Sequence, residues 1–588
     1  MKSKKQGAKR RPVLPYRRIF PRLTAAAFAC SLCMWMPHPV SAGDIEGANV
    51  VQGSATIAAG IDPSITNITA SDRAIIEYQQ FNISSQNTVN FIQPSATSSV
   101  LNRIVGNSPS TLNGTLNANG QVYFVNPAGV YFGPNSVINA GRFHAAAGNI
   151  TNQDFNAGIM RFTATGALVN DGTITANEGV TLVGQTVTNN GSIVAANGLV
   201  SLSSGDTEYI ADGDSRVLVK VDSLSANGQS RASESDVDGT GVANNGTIEA
   251  DEVIFSSGDV YSLAIKNSGT VTADENVTIA SGGDVENTGT IEAGNDVKIS
   301  GDFATLAAGS IHAGNVASIK VNHFQLGGDL SAGKEIYLDP TTLNVVDDNA
   351  GVDQITNDQI VGDLNAGTDV TLAADEVITV DAAITTTQNK TATLALNDEN
   401  GGADLTINLN APITLKSKQT LTGEGATVSV GADGKVGNGI DVASDGGNVN
   451  LAAATYDEDV IVDKPVTLNG ANAGISAVDG VRGAESVIDG NMTITSDNVT
   501  VDGIELTNFR YNGIFMQALN NVTITNSLFT SPDTGTSAAG AIIIQPVIDQ
   551  AGTVTVDGVN ITNNKFDIPA ANSSTTGIRF TMHKTYGG

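Results

Sequence analysis

The sequence predicts an all-β chain folded as a right-handed parallel β-helix, a solenoid of stacked coils. Three observations predict it. The phrase Asn-x-Gly-Thr-Ile-x-Ala, followed by a polar turn and Val-x-Ile, recurs with Gly172, Gly191, Gly246, Gly269, Gly289 and Gly309 spaced 19, 55, 23, 20 and 20 residues apart. Within each unit, as in Thr270-Val271-Thr272-Ala273 and Asn276-Val277-Thr278-Ile279, apolar and polar residues alternate with the period of a strand. Hydrophobic residues make up 40% of the chain but aromatics only 5%, which suits a narrow core repeated many times. Helical periodicity is nearly absent. One unit cannot bury its apolar face alone, but coils stacked about 4.8 Å apart can. Asn-Gly and Gly-Asp pairs are expected to supply positive φ at the corners.

Residues 1–42 stand apart. They hold nine of the 30 basic residues and none of the 60 acidic ones, then an apolar run from Leu23 to Met36, then Val40-Ser41-Ala42. This reads as a secretory signal peptide with a long basic leader, cleaved between Ala42 and Gly43. The apolar run is shorter than the roughly 20 residues of a membrane span. Without this segment the chain carries a net charge near −39. That excludes nucleic acid as a natural partner. Both cysteines (Cys30, Cys33) leave with the leader, so disulfides, thiolate-bound zinc and cysteine nucleophiles leave too.

Residues 43–165 form the first region after the leader. Its most informative stretch is Leu101-Asn102-Arg103-Ile104-Val105-Gly106, followed by the strand Gln121 to Val125 and the turn Asn126-Pro127-Ala128-Gly129-Val130. Pro127 fixes φ at the first inner turn position and Gly129 permits positive φ. Residues 166–340 are the 20-residue repeats, interrupted near 205–243 by an insertion. Its alternating Val217-Leu218-Val219-Lys220-Val221 is expected to form a hairpin leaving the stack. Residues 341–454 keep the strand pattern with a looser period. In 455–588 a second phrase recurs, as Val499-Thr500-Val501-Asp502-Gly503, Val522-Thr523-Ile524 and Val554-Thr555-Val556-Asp557-Gly558, with asparagines placed to form ladders at the corners. This last segment resembles the pectin-lyase-like right-handed β-helix. The chain stops at Tyr586-Gly587-Gly588 without a cap, which reads as a truncation.

The 43–165 region resembles the secretion (haemagglutination activity) domain of two-partner-secretion exoproteins, the filamentous haemagglutinin family. The resemblance rests on Leu101 to Gly106, on Asn126 to Val130 with Ala128 where the family has Asn, and on Phe91-Ile92-Gln93-Pro94. The family's second Asn-Pro motif is absent. The resemblance implies a β-helix engaging the periplasmic docking domains of an outer-membrane transporter. Asn102, Arg103, Asn126, Pro127, Ala128 and Gly129 would then be a transporter-recognition or domain-stabilising motif. It further implies a secreted or surface-displayed adhesin-like exoprotein of a Gram-negative-type envelope, a monomeric rod binding host or environmental surface glycans or proteins.

No catalytic or metal constellation is expected. His144, His312, His323 and His583 lack metal-site or triad spacing. A polysaccharide lyase or hydrolase on the second repeat region is the alternative, with Asp502, Asp557, Arg510 and Lys565 as raw material. The export stalk of a larger toxin or cytolysin is a third reading. No cofactor is expected; aspartates along the stack could hold calcium weakly, although the RTX-type nonapeptide is missing.

Overall fold

Alternating short strands bounded by asparagine and glycine stack in this chain as a parallel β-helix. The structure, a computed structural model, describes residues 44–588 apart from 206, 212–217, 223–239, 259–262, 307, 349–350, 399–403, 518–519, 531–539, 546–555, 569–575 and 582–588. The leader, its Ala42–Gly43 junction, His583 and the last residues lie outside these.

The first strands run against the stack. Ile45–Glu46 pairs antiparallel with Gln80–Phe81, Asn49–Gln52 with Ala74–Tyr78, and Ala55–Ala59 with Ile65–Ala70. From there the pairing is parallel, coil on coil. One face runs Ala74–Tyr78, Ser99–Ile104, Gln121–Val125, then the second half of Val137–Ala146. The next long strands, Thr173–Gly184, Ser192–Ser204, Thr247–Ser257 and Thr270–Ser281, each turn a corner at a register shift, so each covers two faces. A third face stacks Val130–Phe132, Ala167–Asn170, Thr186–Asn189, Thr240–Asn244, Leu263–Asn267 and Asp284–Asn287. Alternation along the strands sends most of their Val, Ile and Leu inward into one continuous core, from Ile68 to Ile544.

The corner of the repeat is built differently from the expectation. Gly191, Gly246, Gly269 and Gly289 are not in the left-handed region. They must be glycine because a Cβ would lie 2.0, 2.0, 2.0 and 2.1 Å from the carbonyl oxygen of the glycine one coil below. The asparagine two residues earlier points inward. Asn170, Asn189, Asn244, Asn267 and Asn287 are all buried; the Nδ2 of each of the first four donates to the Oδ1 of the next at 2.8 Å, and that of Asn287 donates to the Gly289 carbonyl at 3.3 Å. Each buried amide thereby finds a partner in its own column, which removes the cost of burying it. The column crosses the insertion, a step of 55 residues from Asn189 to Asn244, without a break. Within that insertion Thr207–Ala211 and Leu218–Asp222 form an antiparallel hairpin, which extends a small sheet with Gly148–Ile150 and Met160–Ala164.

Three short helices occur among the described residues, although helical periodicity is nearly absent from the sequence. α1 (Asn152–Ala157) begins at Thr151, whose Oγ1 accepts from the Asp154 N–H, and ends at left-handed Gly158. α2 (Asn357–Ala366) is capped by Thr356 and left-handed Gly367, and buries Ile360 and Leu364. α3 (Val436–Val442) lacks a cap of its own; Glu458 supplies one, accepting from Val436 N–H at 2.6 Å and Gly437 N–H at 3.2 Å. All three are too short to show a sustained period; the caps are the sequence signal of α1 and α2, and α3 has none nearby.

From Thr342–Val346 to Asn560–Thr562 the stack continues as a ten-stranded sheet. From residue 455 it is joined by two five-stranded parallel sheets, completing three faces. Here the corners do use positive φ, at Gly503, Gly558 and asparagines 498, 508, 521, 526 and 563. The Asn498–Asn521 ladder contact is 2.9 Å.

Candidate functional site

Strand Ser99–Ile104 is buried on both sides. Val100, Asn102 and Ile104 face the main core, and Leu101 and Arg103 face outward. Outward does not mean solvent here. A second apolar cluster, Ile75, Leu101, Tyr123, Val125, Phe155 and Phe162 among others, lies between the coils and a cover made of α1 and the small antiparallel sheet.

Asn102 is fully buried. Its Nδ2 donates to the Tyr123 carbonyl at 3.2 Å, and its Oδ1 accepts from the Tyr78 hydroxyl at 3.1 Å. Burial pushes that hydroxyl well above the ordinary tyrosine range, so it stays a donor. Arg103 ties coil to cover. Its guanidinium donates to Asn149 Oδ1 (3.0 Å), the Ile150 carbonyl (2.7 Å) and Asn152 Oδ1 (2.8 Å), and forms an ion pair with Glu77 (3.3 Å). The planar fork of arginine is what satisfies partners in several directions at once.

Arg103 pairs in register with Val125, one residue before the second motif. Asn126 is fully buried at the next corner. Its Oδ1 accepts from the Ala128 N–H at 2.9 Å, and its Nδ2 donates to the Ser108 carbonyl and Ser110 Oγ, both at 3.0 Å. The Gly129 N–H returns to the Asn126 carbonyl at 3.1 Å, closing the turn. Gly129 has φ +121°, and its backbone lies against Gly166 of the following coil, where a Cβ would come within 3.0 Å of Gly129 N. Thr165 Oγ1 donates to the Pro127 carbonyl at 2.9 Å. Of the six motif residues, only Pro127 and Ala128 reach solvent appreciably. Their partners Glu77, Tyr78, Asn149 and Asn152 carry no signal in the sequence, because they are remote from the motif or belong to the cover.

The cap next to this region exposes apolar residues. Strands Asn49–Gln52 and Ala55–Ala59 each pair on one side only among the described residues. Val50, Val51, Ile57 and Ile61 are exposed there, and neither strand carries a charge.

Two of the enzyme candidates are engaged in local contacts. The Asp502 carboxylate accepts from the Gly474 N–H (3.0 and 3.1 Å) and from Asn526 Nδ2 (2.7 Å). Lys565 lies 3.6 Å from Asp567, and Arg510 and Asp557 are exposed. His144 is buried against Tyr123, His312 meets Ser331 at 2.7 Å, and His323 meets Asp353 at 2.7 Å. Among the described residues no three His, Asp or Glu side chains are grouped to hold a metal ion.

Residues 45–271 match the family model described as the TPS secretion domain. A heme/hemopexin-binding protein of Haemophilus influenzae is 32% identical over 113 residues, covering 19% of this chain and 12% of that protein. A second such protein, from Haemophilus influenzae strain Rd, is 30% identical over 156 residues, covering 24% and 17%. The matches thus span less than a fifth of those relatives' length. The solved HMW1 secretion domain of Haemophilus influenzae aligns at 22% identity over 79% of this chain and 99% of that one, with a TM-score of 0.32. The filamentous hemagglutinin secretion domain aligns at 16% identity over 50% and 97%, with a TM-score of 0.30.

Proposed function

Taking as premise that residues 45–271 are a TPS secretion domain of the two-partner-secretion exoproteins, we propose that the whole chain is an adhesin-like exoprotein. A partner transporter in the outer membrane exports it, and outside a Gram-negative cell it attaches to surface glycans or proteins. TPS exoproteins are secreted by Gram-negative bacteria through such transporters. The observation that carries the reading is the domain match over the region holding both motifs.

In this reading the uncharged, one-sided cap strands Asn49–Gln52 and Ala55–Ala59 suit strand addition by the transporter's periplasmic domains. Asn102, Arg103, Asn126 and Gly129 serve export by holding the first coils together, since their polar atoms are spent inside the fold. Pro127 and Ala128 are the part of the motif left for direct contact. The long stack beyond 271 presents a repetitive surface suited to multivalent attachment. The engagement of Asp502 and Lys565 in local contacts favours binding over catalysis for the second repeat region.

The test is co-expression with and without the transporter, following protein in the medium. Export should collapse without the transporter; unchanged levels in the medium would overturn the reading. Asn126→Ala should lower export and thermal stability together, whereas Ala128→Asp should lower export alone if that turn touches the transporter.

A further inference from the structure

The C-terminal β-helix holds a second built feature. The corner between its first and second faces takes one residue between Thr500–Asp502 and Ile504–Thr507, and two between Thr523–Thr525 and Leu528–Phe529. In the coil beneath, between Thr467–Asn469 and Ser486–Asp489, the same corner takes 16 residues, 470–485.

This excursion is fastened at its neck, body and flank. At the neck, buried Asn472 accepts from the Gly483 N–H (2.8 Å) and donates to the Ala484 carbonyl (3.0 Å). Within the body, the Arg482 guanidinium is held bidentately by Glu485 (2.7 and 2.8 Å) and donates to the carbonyls of Ile475 (2.6 Å) and Asn526 (2.7 Å). On the flank, the Ala477 N–H donates to the Asn563 carbonyl at 3.1 Å, which binds the loop to a later coil. What this frame presents is Val478-Asp479-Gly480-Val481. Val478 is 67% and Val481 95% exposed. Among the described residues the Asp479 carboxylate makes no hydrogen bond or ion pair.

We propose that the tip Val478–Val481 is a recognition element that docks into an apolar notch carrying a basic side chain on a partner protein. Apolar side chains held out by a fixed frame gain nothing in the free chain and lose little freedom on binding. A lone carboxylate between two valines calls for a cation at the floor or rim of the notch. The acidic balance of the chain, 60 acidic against 30 basic residues, steers it toward basic surfaces and away from a second copy or an anionic membrane. This rests on the attachment half of the proposed function and is independent of the export half.

The test uses the full chain, immobilised, and a phage-displayed library of disulfide-closed peptides. Enriched clones should combine aliphatic or aromatic residues with Arg or Lys. They should bind the Val478→Ser/Val481→Ser variant at least tenfold more weakly, and Asp479→Asn severalfold more weakly. A thermal unfolding curve unchanged from the parent shows that the exposed substitutions left the fold alone. Clones that bind parent and variants equally, or no enrichment, would overturn the proposal. Neither result bears on export, which is read separately.

Discussion

Replacing Arg103 by Met keeps the length and apolar stem of the side chain and deletes its charge. Four contacts disappear together: the ion pair to Glu77, and the bonds to Asn149, Asn152 and the Ile150 carbonyl. Breaking one partner of a buried pair costs about 3–5 kcal/mol, and the lower end applies because the Glu77 side chain keeps 29% exposure. Three of the four contacts reach the cover and only the Glu77 pair lies between two coil strands, so the loss falls mainly on the cover. The far end of α1 stays held by the Gln52–Asn156 amide pair and by Arg73, which donates to the Asn156 carbonyl. At about 3 kcal/mol, and a tenfold change for every 1.4 kcal/mol, amides of 148–153 should exchange hydrogen roughly a hundredfold faster. Amides of Thr173–Gly184 and Ser192–Ser204 should keep their protection. Exchange followed by mass spectrometry reads both regions in one experiment. Uniform acceleration along the chain, or none, would refute the assignment of Arg103 as the tether of the cover.

Other outcomes follow from the same structure. Asn244→Leu leaves the Asn189 donor and the Asn267 acceptor unpaired in the core, so a loss of about 2–5 kcal/mol is expected in urea titration. Gly269→Ala places a Cβ against the Gly246 carbonyl, with a cost of about 3 kcal/mol expected; a near-neutral melting temperature would show that the corner can open. Asp363 and Asp441 are both raised to about 6 by burial, with the neighbouring Asp329 and Asp463 adding to the effect. A raised carboxylate pKa gives stability that is complete below the unfolded value of 3.8 and is lost as pH climbs through about 6. Both groups keep some solvent, so each contributes about 1 kcal/mol. Asp363→Asn should therefore stabilise the chain relative to the parent at pH 7.5 and bring little change at pH 4, measured by denaturant titration at both.

The β-helix was legible because a 20-residue phrase states its period openly, and alternation states which side faces in. Alternation says nothing about strand direction. The antiparallel cap of Asn49–Gln52 and Ala55–Ala59 therefore reads like any other strand pair. The corner glycines were recognised for the wrong reason: φ is a property of one residue, whereas the clash that excludes a Cβ at Gly269 comes from Gly246, a coil away. Leu101-Asn102-Arg103 was visible as a motif, but its work was hidden, since a strand buried on both faces loses the polar side that alternation leads one to expect. The second apolar layer over Leu101 and Tyr123 depends on α1 and on strands Gly148–Ile150 and Met160–Ala164, and no local pattern announces that they meet the coils.

The asparagine column passes from Asn189 to Asn244 at the same 2.8 Å as between neighbouring repeats, although 55 residues separate the two. A coil thus takes its alignment from the coil beneath it, whatever length of chain joins them. Such a scaffold can accept new segments at its corners without renegotiating its axis. Novelty can be added between Ser204 and Thr240, or between Asn469 and Ser486, as attachments to a track whose gauge is already fixed.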